Sequence, residues 1–343
     1  MKAKQFFSYR KAFAFLIICA SLFACEKDPL PLPLPPPPPP PPPPSFNSPQ
    51  VRTSEVNGVG FSEAEICGQI ISDGGAKINE RGFCWGADSN EVNVNFNKRR
   101  VTATTDNFSL NLTGLSRNTK YYVKAYAIND VGAAYGQAVT VHTYDIADNE
   151  GNMYHTVKIG EQVWTVENLR TRHYNNGDPI IHEPVAANWG PLETGAYTAY
   201  NNSSEMAEKY GYLYNYLAVT DPRGIAPEGW RIPSGDDFGE LKTFLGGYYL
   251  AGPALMNQLG WPETLRPITN SSGFSALPNG GIARNRKTKL YEYSAGDETA
   301  AFITNEIFAG YLIMVIISVE NQFFSTGGLY DPSAGAGIRL IKQ

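Results

Sequence analysis

Cysteine is scarce in this sequence, which contains four residues of that type among 343. Cys19 and Cys25 fall in the N-terminal segment, so only Cys67 and Cys84 remain for the folded part. These two lie on neighbouring predicted strands, and an exported protein could oxidise them. A disulfide between them and two separate small side chains in a core both stay open. Residues 145–343 contain no cysteine, which excludes thiol chemistry there.

Positive charge and histidine are also in short supply. The sequence has 28 Lys and Arg against 33 Asp and Glu, a net charge of −5, and no basic stripe. Nucleic acid and an anionic lipid surface are therefore not predicted as electrostatic partners. The four histidines include His155, His173 and His182, which lack the HxH or HExxH spacing of a metal site. No metal site is predicted.

Hydrophobic runs long enough to cross a membrane are absent. The apolar segments 12–23 and 307–319 are both shorter than the roughly 20 residues that a spanning helix needs. Residues 307–319 are rich in β-branched side chains, which favours two buried strands over a membrane-inserting segment. Residues 12–23 follow a basic stretch that includes Lys2 and Arg10, which is the order of a signal peptide.

The sequence Leu-Phe-Ala-Cys at residues 22–25 resembles the lipobox of bacterial lipoproteins. The resemblance implies a signal peptide over residues 1–24 and a diacylglycerol on the thiol of Cys25. Cleavage by an ordinary signal peptidase, with Cys25 incidental, is the alternative. Residues 26–28, Glu-Lys-Asp, resemble the export signals of Bacteroidetes surface lipoproteins. We therefore expect a protein held to the bacterial outer membrane by its N-terminal lipid and facing the cell surface, with the periplasmic face as the alternative.

Proline is concentrated in residues 25–50, between the predicted anchor and the first folded region. Residues 29–44 alternate Pro and Leu and then end in ten consecutive prolines. Proline has no amide donor and a fixed φ, so this run predicts a polyproline II rod that rises about 3.1 Å per residue. The expected role is a stiff linker that holds the next domain away from the membrane. A ligand for proline-binding modules is the alternative.

Residues 51–144 show alternating apolar patterns separated by turn residues. The predicted strands include Glu63–Ile71, Arg81–Trp85, Phe108–Leu112 and Tyr121–Asn129. This texture predicts an antiparallel sandwich. The segment 112–136 resembles the late strands of a fibronectin type III domain at Leu115, Thr119, Tyr121, Val123, Ala125 and Ala127. The resemblance implies an all-β, fibronectin type III-like sandwich in which the Tyr121 hydroxyl ties the start of its strand.

Residues 145–343 carry several motifs in a fixed order. They are a hairpin-like segment at 148–176, YGYLYN at 210–215, GWRIPS at 229–234, GFSALP at 273–278 and GIRLI at 337–341. The ordered set resembles the Fibrobacter succinogenes major paralogous domain. The resemblance implies a helix at YGYLYN and an α+β domain of the C-type lectin-like fold, which formylglycine-generating enzymes share.

The residues around GWRIPS also predict a local structure. Trp230 is expected in the core, because a Trp buries a large apolar area. Ser234 is a plausible N-cap, and Asp236 and Asp237 suit the positive end of the helix dipole. The spacing predicts that one apolar helix face is formed by Phe238, Leu241, Phe244 and Leu245.

No arrangement of residues in 145–343 points to chemistry or to calcium. The fragments at 183–185 and 277–279 do not match the Glu-Pro-Asn or Gln-Pro-Asp loops of calcium-dependent lectins. We therefore predict no catalytic residue, metal ion or cofactor. Six aromatic residues either stack on sugars or pack in the core, namely Trp189, Tyr197, Tyr200, Tyr210, Tyr212 and Tyr214.

The expected function is that of a non-catalytic surface lipoprotein whose lectin-like domain binds an extracellular glycan or protein. A structural or adhesive subunit of a surface assembly is the first alternative. An enzyme with an unrecognised site is the second.

Overall fold

The computed structural model describes residue 43 and residues 45–343 of the chain. The predicted signal peptide, the predicted lipid attachment at Cys25 and nearly all of the proline linker lie outside the described residues. Residues 45–343 form one compact unit that contains both predicted folded regions. No helix in this described part has both the length and the apolar character to cross a membrane.

Residues 50–142 form strands that pair into two antiparallel sheets. The strands are β1 (Gln50–Val59), β2 (Glu63–Ser72), β3 (Glu80–Gly86), β4 (Lys98–Arg100), β5 (Asn107–Thr113), β6 (Lys120–Ile128), β7 (Ala133–Tyr135) and β8 (Val139–His142), with a 3-10 turn at Ser89–Glu91. One sheet has the order β1-β2-β5, and the other has β4-β3-β6-β7 with β8 also paired to β6. Side chains from both sheets share one apolar core, which confirms the predicted sandwich.

Strand alternation builds this core. Every second residue near the middle of β2 is buried, and Val123 and Ala125 of β6 face the same core. The rings of Phe83 and Phe108 lie 5.1 Å apart between the sheets. The Tyr121 hydroxyl accepts a hydrogen bond of 3.0 Å from the backbone N–H of Ser116, while the Tyr121 ring packs against the core. The predicted tyrosine corner is therefore confirmed.

The two cysteines of the sandwich lie on different sheets and are free thiols. Cys67 of β2 is partly exposed, and its Sγ accepts a hydrogen bond from Asn57 Nδ2 at 3.2 Å. Cys84 of β3 is buried, and its Sγ donates to the carbonyl of Lys124 at 3.6 Å. Burial raises the pKa of the Cys84 thiol to about 11. The two residues are thus separate in the structure, and only Cys84 is buried in a core.

Residues 146–342 form fourteen short strands and four helices. The strands are β9 (Ile146–Ala147), β10 (Met153–Tyr154), β11 (Thr156–Ile159), β12 (Gln162–Thr165), β13 (Ile181–His182), β14 (Ala196–Thr198), β15 (Leu213–Tyr214), β16 (Trp230–Arg231), β17 (Gly281–Arg284), β18 (Tyr291–Ser294), β19 (Thr299–Phe308), β20 (Tyr311–Ser318), β21 (Phe324–Tyr330) and β22 (Ile341–Lys342). The helices are α1 (Ser204–Tyr210), α2 (Tyr216–Val219), α3 (Gly235–Phe244) and α4 (Tyr248–Leu255), with 3-10 turns at Ala186–Asn188 and Tyr200–Asn202.

The central sheet of this second region contains strands from both the beginning and the end of the region. Its order is β11-β12-β22-β16, and the β11–β12 hairpin turns at Gly160 as the sequence predicts. Strand β22 lies between β12 and β16, so that Ile341 pairs with both Trp164 and Arg231. The other sheets of this region are β9-β10, β13-β14-β15, β17-β18 and β19-β20-β21.

Helix α3 follows the predicted start signals. The Ser234 side chain caps the backbone N–H of Asp237, and the Asp237 carboxylate accepts from the backbone N–H of Ser234, which is a capping box. Phe238 and Leu241 are buried, as is Trp230 before the helix. The prediction for Phe244 is wrong, because its side chain is 62% exposed. Phe244 is the last residue of α3. It lies beside Gly160 at the surface and is not part of the core.

Two further predictions of local structure need correction. The YGYLYN motif is not a helix, because α1 ends at Tyr210, Gly211 has a φ of +77°, and Leu213–Tyr214 form β15. A positive φ at Gly211 stops the helix and turns the chain into a strand. The segment 307–319 holds the end of β19, a turn at Gly310 and all of β20. Leu312 is buried, but Ile307 and Phe308 at the turn are exposed.

The sandwich and the second region contact each other through side chains near residue 156. Asn118 Nδ2 donates to the carbonyl of Thr156 at 2.9 Å, and Asn118 Oδ1 accepts from the backbone N–H of Thr156 at 3.3 Å. The rings of His142 and His155 stack with centroids 4.1 Å apart.

Candidate functional site

A polar cleft lies beside the segment that follows β12, between this segment, helix α1 and the residue Arg339 before β22. It consists of two cavities of about 190 and 210 Å³ that share Arg170 and Glu208 in their walls. We call it the Arg170 cleft, and we define it by Glu167, Asn168, Arg170, Glu208, Tyr212 and Arg339.

Arg339 lies behind the cleft as a fully buried cation. Its Nε donates to Asn168 Oδ1 at 2.6 Å, and one terminal nitrogen donates to the carbonyls of Thr165 and Phe274 at 2.8 and 2.7 Å. The other terminal nitrogen donates to the carbonyl of Ser275 at 3.2 Å. Burial lowers the pKa of Arg339 to about 9. Arg339 therefore ties three loop segments together, and it adds positive charge to the floor of the cleft.

Asn168 joins this network to helix α1. Its Nδ2 donates to the carbonyl of Tyr210, the last residue of α1, at 2.8 Å. The backbone on either side is fixed as well, because Leu169 N–H donates to the carbonyl of Ile338 at 2.9 Å. The amide thus satisfies a carbonyl that the end of a short helix would leave unpaired. These contacts connect the segment of Asn168 to helix α1 and to the segment before Arg339.

Arg170 occupies the point that the two cavities share. Its backbone N–H donates to the Tyr154 hydroxyl at 3.0 Å, and its carbonyl accepts from Asn152 Nδ2 at 3.2 Å. Asp148 holds both supporting side chains, since its Oδ2 accepts from Tyr154 at 2.7 Å and from Asn152 at 2.9 Å. The backbone of Arg170 is therefore rigidly positioned, and its guanidinium extends along the cleft wall.

Glu167 links the cleft to the contact with the sandwich. One carboxylate oxygen lies 2.6 Å from His155 Nδ1, and the other accepts from the backbone N–H of His155 at 2.8 Å. Burial would lower the pKa of His155, but the hydrogen bond to Glu167 outweighs it and raises this pKa. Burial would raise the pKa of Glu167, but the hydrogen bonds from His155 outweigh it and lower this pKa. Burial lowers the pKa of His142, whose ring stacks on that of His155.

The structure divides the six predicted aromatic residues into two groups. Trp189 and Tyr214 are fully buried, so they belong to the core. Tyr197, Tyr200, Tyr210 and Tyr212 keep part of their surface exposed. Tyr210 and Tyr212 line the Arg170 cleft, and the Tyr212 ring stands edge-on to Tyr197 with centroids 4.8 Å apart.

The histidines do not form a metal centre in the structure. His173 Nδ1 lies 2.9 Å from Glu150 Oε1, and His182 Nε2 lies 3.1 Å from Asn202 Oδ1. Within residue 43 and residues 45–343, no three His, Cys, Asp or Glu side chains are grouped so that they could share a metal ion.

Apart from Tyr212, sequence reasoning missed the residues that build the cleft. Asn168 lies in the ENL run and Arg339 lies in GIRLI, and both runs served only to identify a family. A charged residue inside the apolar GIRLI run is a signal that could have been used, since a buried arginine needs several acceptors nearby. The position of Arg170 carries no comparable signal.

Residues 157–342, more than half of the chain, match the family model of the Fibrobacter succinogenes major domain. The chain belongs to this family. All six residues that define the Arg170 cleft lie within the matched range. The Fibrobacter succinogenes major domain of this chain therefore contains the candidate site, and the sandwich lies outside the match.

Two solved structures similar to this member of the Fibrobacter succinogenes major domain family each match less than a third of the chain. The sensor domain of the anti-sigma factor RsgI4 from Pseudobacteroides cellulosolvens is 16% identical, covers 30% of this chain and 100% of its own, and has a TM-score of 0.23. The 6th fibronectin type III domain of human fibronectin type III domain containing protein 3 is 20% identical, covers 29% of this chain and 89% of its own, and has a TM-score of 0.23. A comparison with curated proteins gives no match.

Proposed function

We propose that the protein is a lipid-anchored lipoprotein on the outer face of the bacterial outer membrane that binds an extracellular glycan in the Arg170 cleft without catalysing a reaction. The anchor is the lipid on Cys25, and the proline run carries the folded part outward. The sandwich serves as a fibronectin type III-like spacer. The domain of residues 145–343, which we call the family domain, serves as a C-type lectin-like binding module.

The composition of the Arg170 cleft carries this proposal. A sugar ring offers an apolar face that packs on an aromatic ring and hydroxyl groups that exchange hydrogen bonds with polar side chains. The cleft places the Tyr212 ring in the same cavity as Arg170 and Glu208, which supply donors and acceptors. The network of Asp148 and Asn168 fixes the walls in advance, which lowers the entropy cost of binding.

A glycan array probed with the full-length protein tests the proposal. We expect binding to a restricted set of glycans, and we expect Tyr212→Ala to weaken it about tenfold, since an aromatic contact contributes on the order of 1 kcal/mol beyond its buried area. Tyr311→Ala is the matched control, because Tyr311 is an exposed tyrosine at the β19–β20 turn. An array without signal, or equal losses for both variants, contradicts glycan binding at this cleft.

An exposed apolar patch favours a second function, a subunit of a surface assembly. Phe244, Tyr249 and Leu250 are 62%, 62% and 63% exposed at the α3–α4 turn. The Phe323 ring is tilted against the Tyr248 ring and edge-on to the Tyr249 ring, with centroids 4.6 and 5.0 Å apart. Contiguous apolar surface of this kind is typical of protein contacts. Crosslinking on intact cells, with recovery of one stoichiometric protein partner and no glycan signal, would favour this function.

A further inference from the structure

Arg170 has a hydrogen-bonding capacity that the protein itself does not use. Its side chain donates to the carbonyl of Met153 at 3.2 Å and lies 5.7 Å from the centre of the Tyr154 ring. Its Nε is buried and has no hydrogen-bond partner. A buried donor without an acceptor is uncommon in proteins, because its desolvation is not compensated. Nε is enclosed by the protein, but the terminal nitrogen Nη1 also has no hydrogen-bond partner among the described residues and is not buried, so an acceptor on a ligand can reach this nitrogen from the cleft.

The geometry of a guanidinium narrows the class of acceptor. Its planar, forked donors match the two oxygens of a carboxylate better than a single hydroxyl or carbonyl. The backbone of Arg170 is held at its N–H by Tyr154 and at its carbonyl by Asn152. The side chain therefore projects from a fixed point, and less entropy is lost when it binds a planar group.

The charges around the cleft favour an anion. Its walls carry four basic residues, Arg170, Arg172, Lys209 and Arg339, and two acidic residues, Glu167 and Glu208. Arg172 is paired with Glu150, and Glu167 is paired with His155. Within residues 45–343, no carboxylate lies at ion-pair distance from Arg170, Lys209 or Arg339. Arg170 and Lys209 in the cleft walls and the buried Arg339 behind them thus outnumber the one acid without an ion pair, Glu208, in a chain whose net charge is −5.

We propose that the ligand of the Arg170 cleft is an acidic saccharide, whose sugar carboxylate binds the guanidinium of Arg170. This inference rests on the proposed glycan binding and specifies its chemistry. The sugar ring packs against Tyr212, which lines the same cavity as Arg170. Lys209 and Arg339 stabilise the negative charge from a greater distance.

Calorimetry with the full-length protein and two matched probes tests the inference. The probes are a hexuronic acid oligosaccharide and its fully methyl-esterified form, which differ in charge and share the same rings. We expect the acid to bind at least about tenfold more tightly than the ester, because charge-assisted hydrogen bonds are roughly twice as strong as neutral ones. The preference should weaken as salt is added.

The variant Arg170→Gln should abolish the preference for the acid and leave binding of the ester in place. Arg286→Gln is the matched control, because Arg286 is exposed and lies outside the cleft walls. Circular dichroism melting of each variant checks that the fold is retained. Lys209→Gln provides a second, exposed position, at which we expect a loss of preference of about threefold.

Four outcomes separate the inference from the function on which it rests. Equal affinity for acid and ester in the unmodified protein overturns the inference and leaves glycan binding intact. A preference that survives Arg170→Gln does the same. Tighter binding of a peptide with a free C-terminal carboxylate than of either saccharide also overturns it. No binding of either saccharide, together with an array without signal, overturns both.

Discussion

The sandwich and the family domain are stabilised by different kinds of core. Residues 51–144 bury three polar side chains, Thr53, Asn129 and Thr143, whereas residues 145–343 bury twelve. The second region is only about twice as long, so its core is richer in buried polar groups. One of them, Arg339, is charged and fully enclosed.

The difference follows from how each region satisfies its backbone. In the sandwich, long strands pair with neighbouring strands, so the ladders satisfy most of the N–H and C=O groups. In the family domain, many segments between short strands are irregular, and side chains supply the missing partners. Asn279, for example, donates to the carbonyl of Ala301 and accepts from its N–H, each at 2.9 Å. Such positions cannot be exchanged for apolar residues without leaving buried groups unpaired.

The largest expected effect concerns the apolar core of the sandwich. Phe83→Ala should lower the free energy of unfolding by about 3–5 kcal/mol, because it removes a fully buried ring and leaves a cavity. Hydrogen-exchange mass spectrometry should show lost protection in residues 51–144 alone. Phe96→Ala, at a 52% exposed position, is the control and should change little. Equal loss of protection in both regions would show that they unfold as one unit.

A smaller effect is expected from the polar core of the family domain. Arg339→Leu fills the site with an apolar side chain but leaves four acceptors without their donor. We therefore expect the free energy of unfolding to fall by about 3 kcal/mol. The same exchange measurement should place this loss in residues 145–343. Lys342→Leu, at an exposed position of β22, is the control. Unchanged stability of Arg339→Leu would contradict the contrast between the two cores.

The smallest effect should come from the capping box of α3, and it should depend on pH. Burial alone would raise the pKa of Asp237, but hydrogen bonds from Arg231 and Ser234 outweigh it and lower this pKa. A lowered pKa stabilises the fold fully above the unfolded value near 3.9, and this contribution is lost as pH falls through the folded value. Asp237→Asn should therefore cost about 1–2 kcal/mol at pH 7 and much less near pH 2.

Urea unfolding at several pH values measures this difference. Asp236→Asn, one position earlier and exposed, serves as the control and should show no such dependence. A constant difference between Asp237→Asn and the unmodified protein from pH 7 to pH 2 would contradict the assigned role.

The sequence predicts the sandwich well, because its information is local. Alternation along β2 and β6 and the corner at Tyr121 are patterns within single segments. In the family domain, the start of α3 was predicted for the same reason, from Ser234 and Asp237. The Arg170 cleft was not predicted, because it depends on residues that the fold brings together from distant positions.

Asn168 and Arg339 show why such a site escapes sequence reasoning. They are 171 positions apart, yet Arg339 Nε lies 2.6 Å from Asn168 Oδ1. Neither periodicity nor spacing along one segment records that contact. Phe244 shows the same limit within one helix. Helical spacing predicts which residues share a face, but it does not predict how far along the helix other elements pack against that face.

The position of β22 between β12 and β16 sets an order of events during synthesis of the chain. The sandwich consists of contiguous residues, so it can fold while later residues are still being synthesised. The central sheet of the family domain must wait, because Trp164 pairs with Val157 in the hairpin but gains its partner on the other side only when Ile341 has been made. Until then the hairpin β11–β12 presents an unpaired edge, which is open to misassembly and proteolysis. The interval between the synthesis of residues 164 and 341 is thus the period in which a chaperone would protect this chain most.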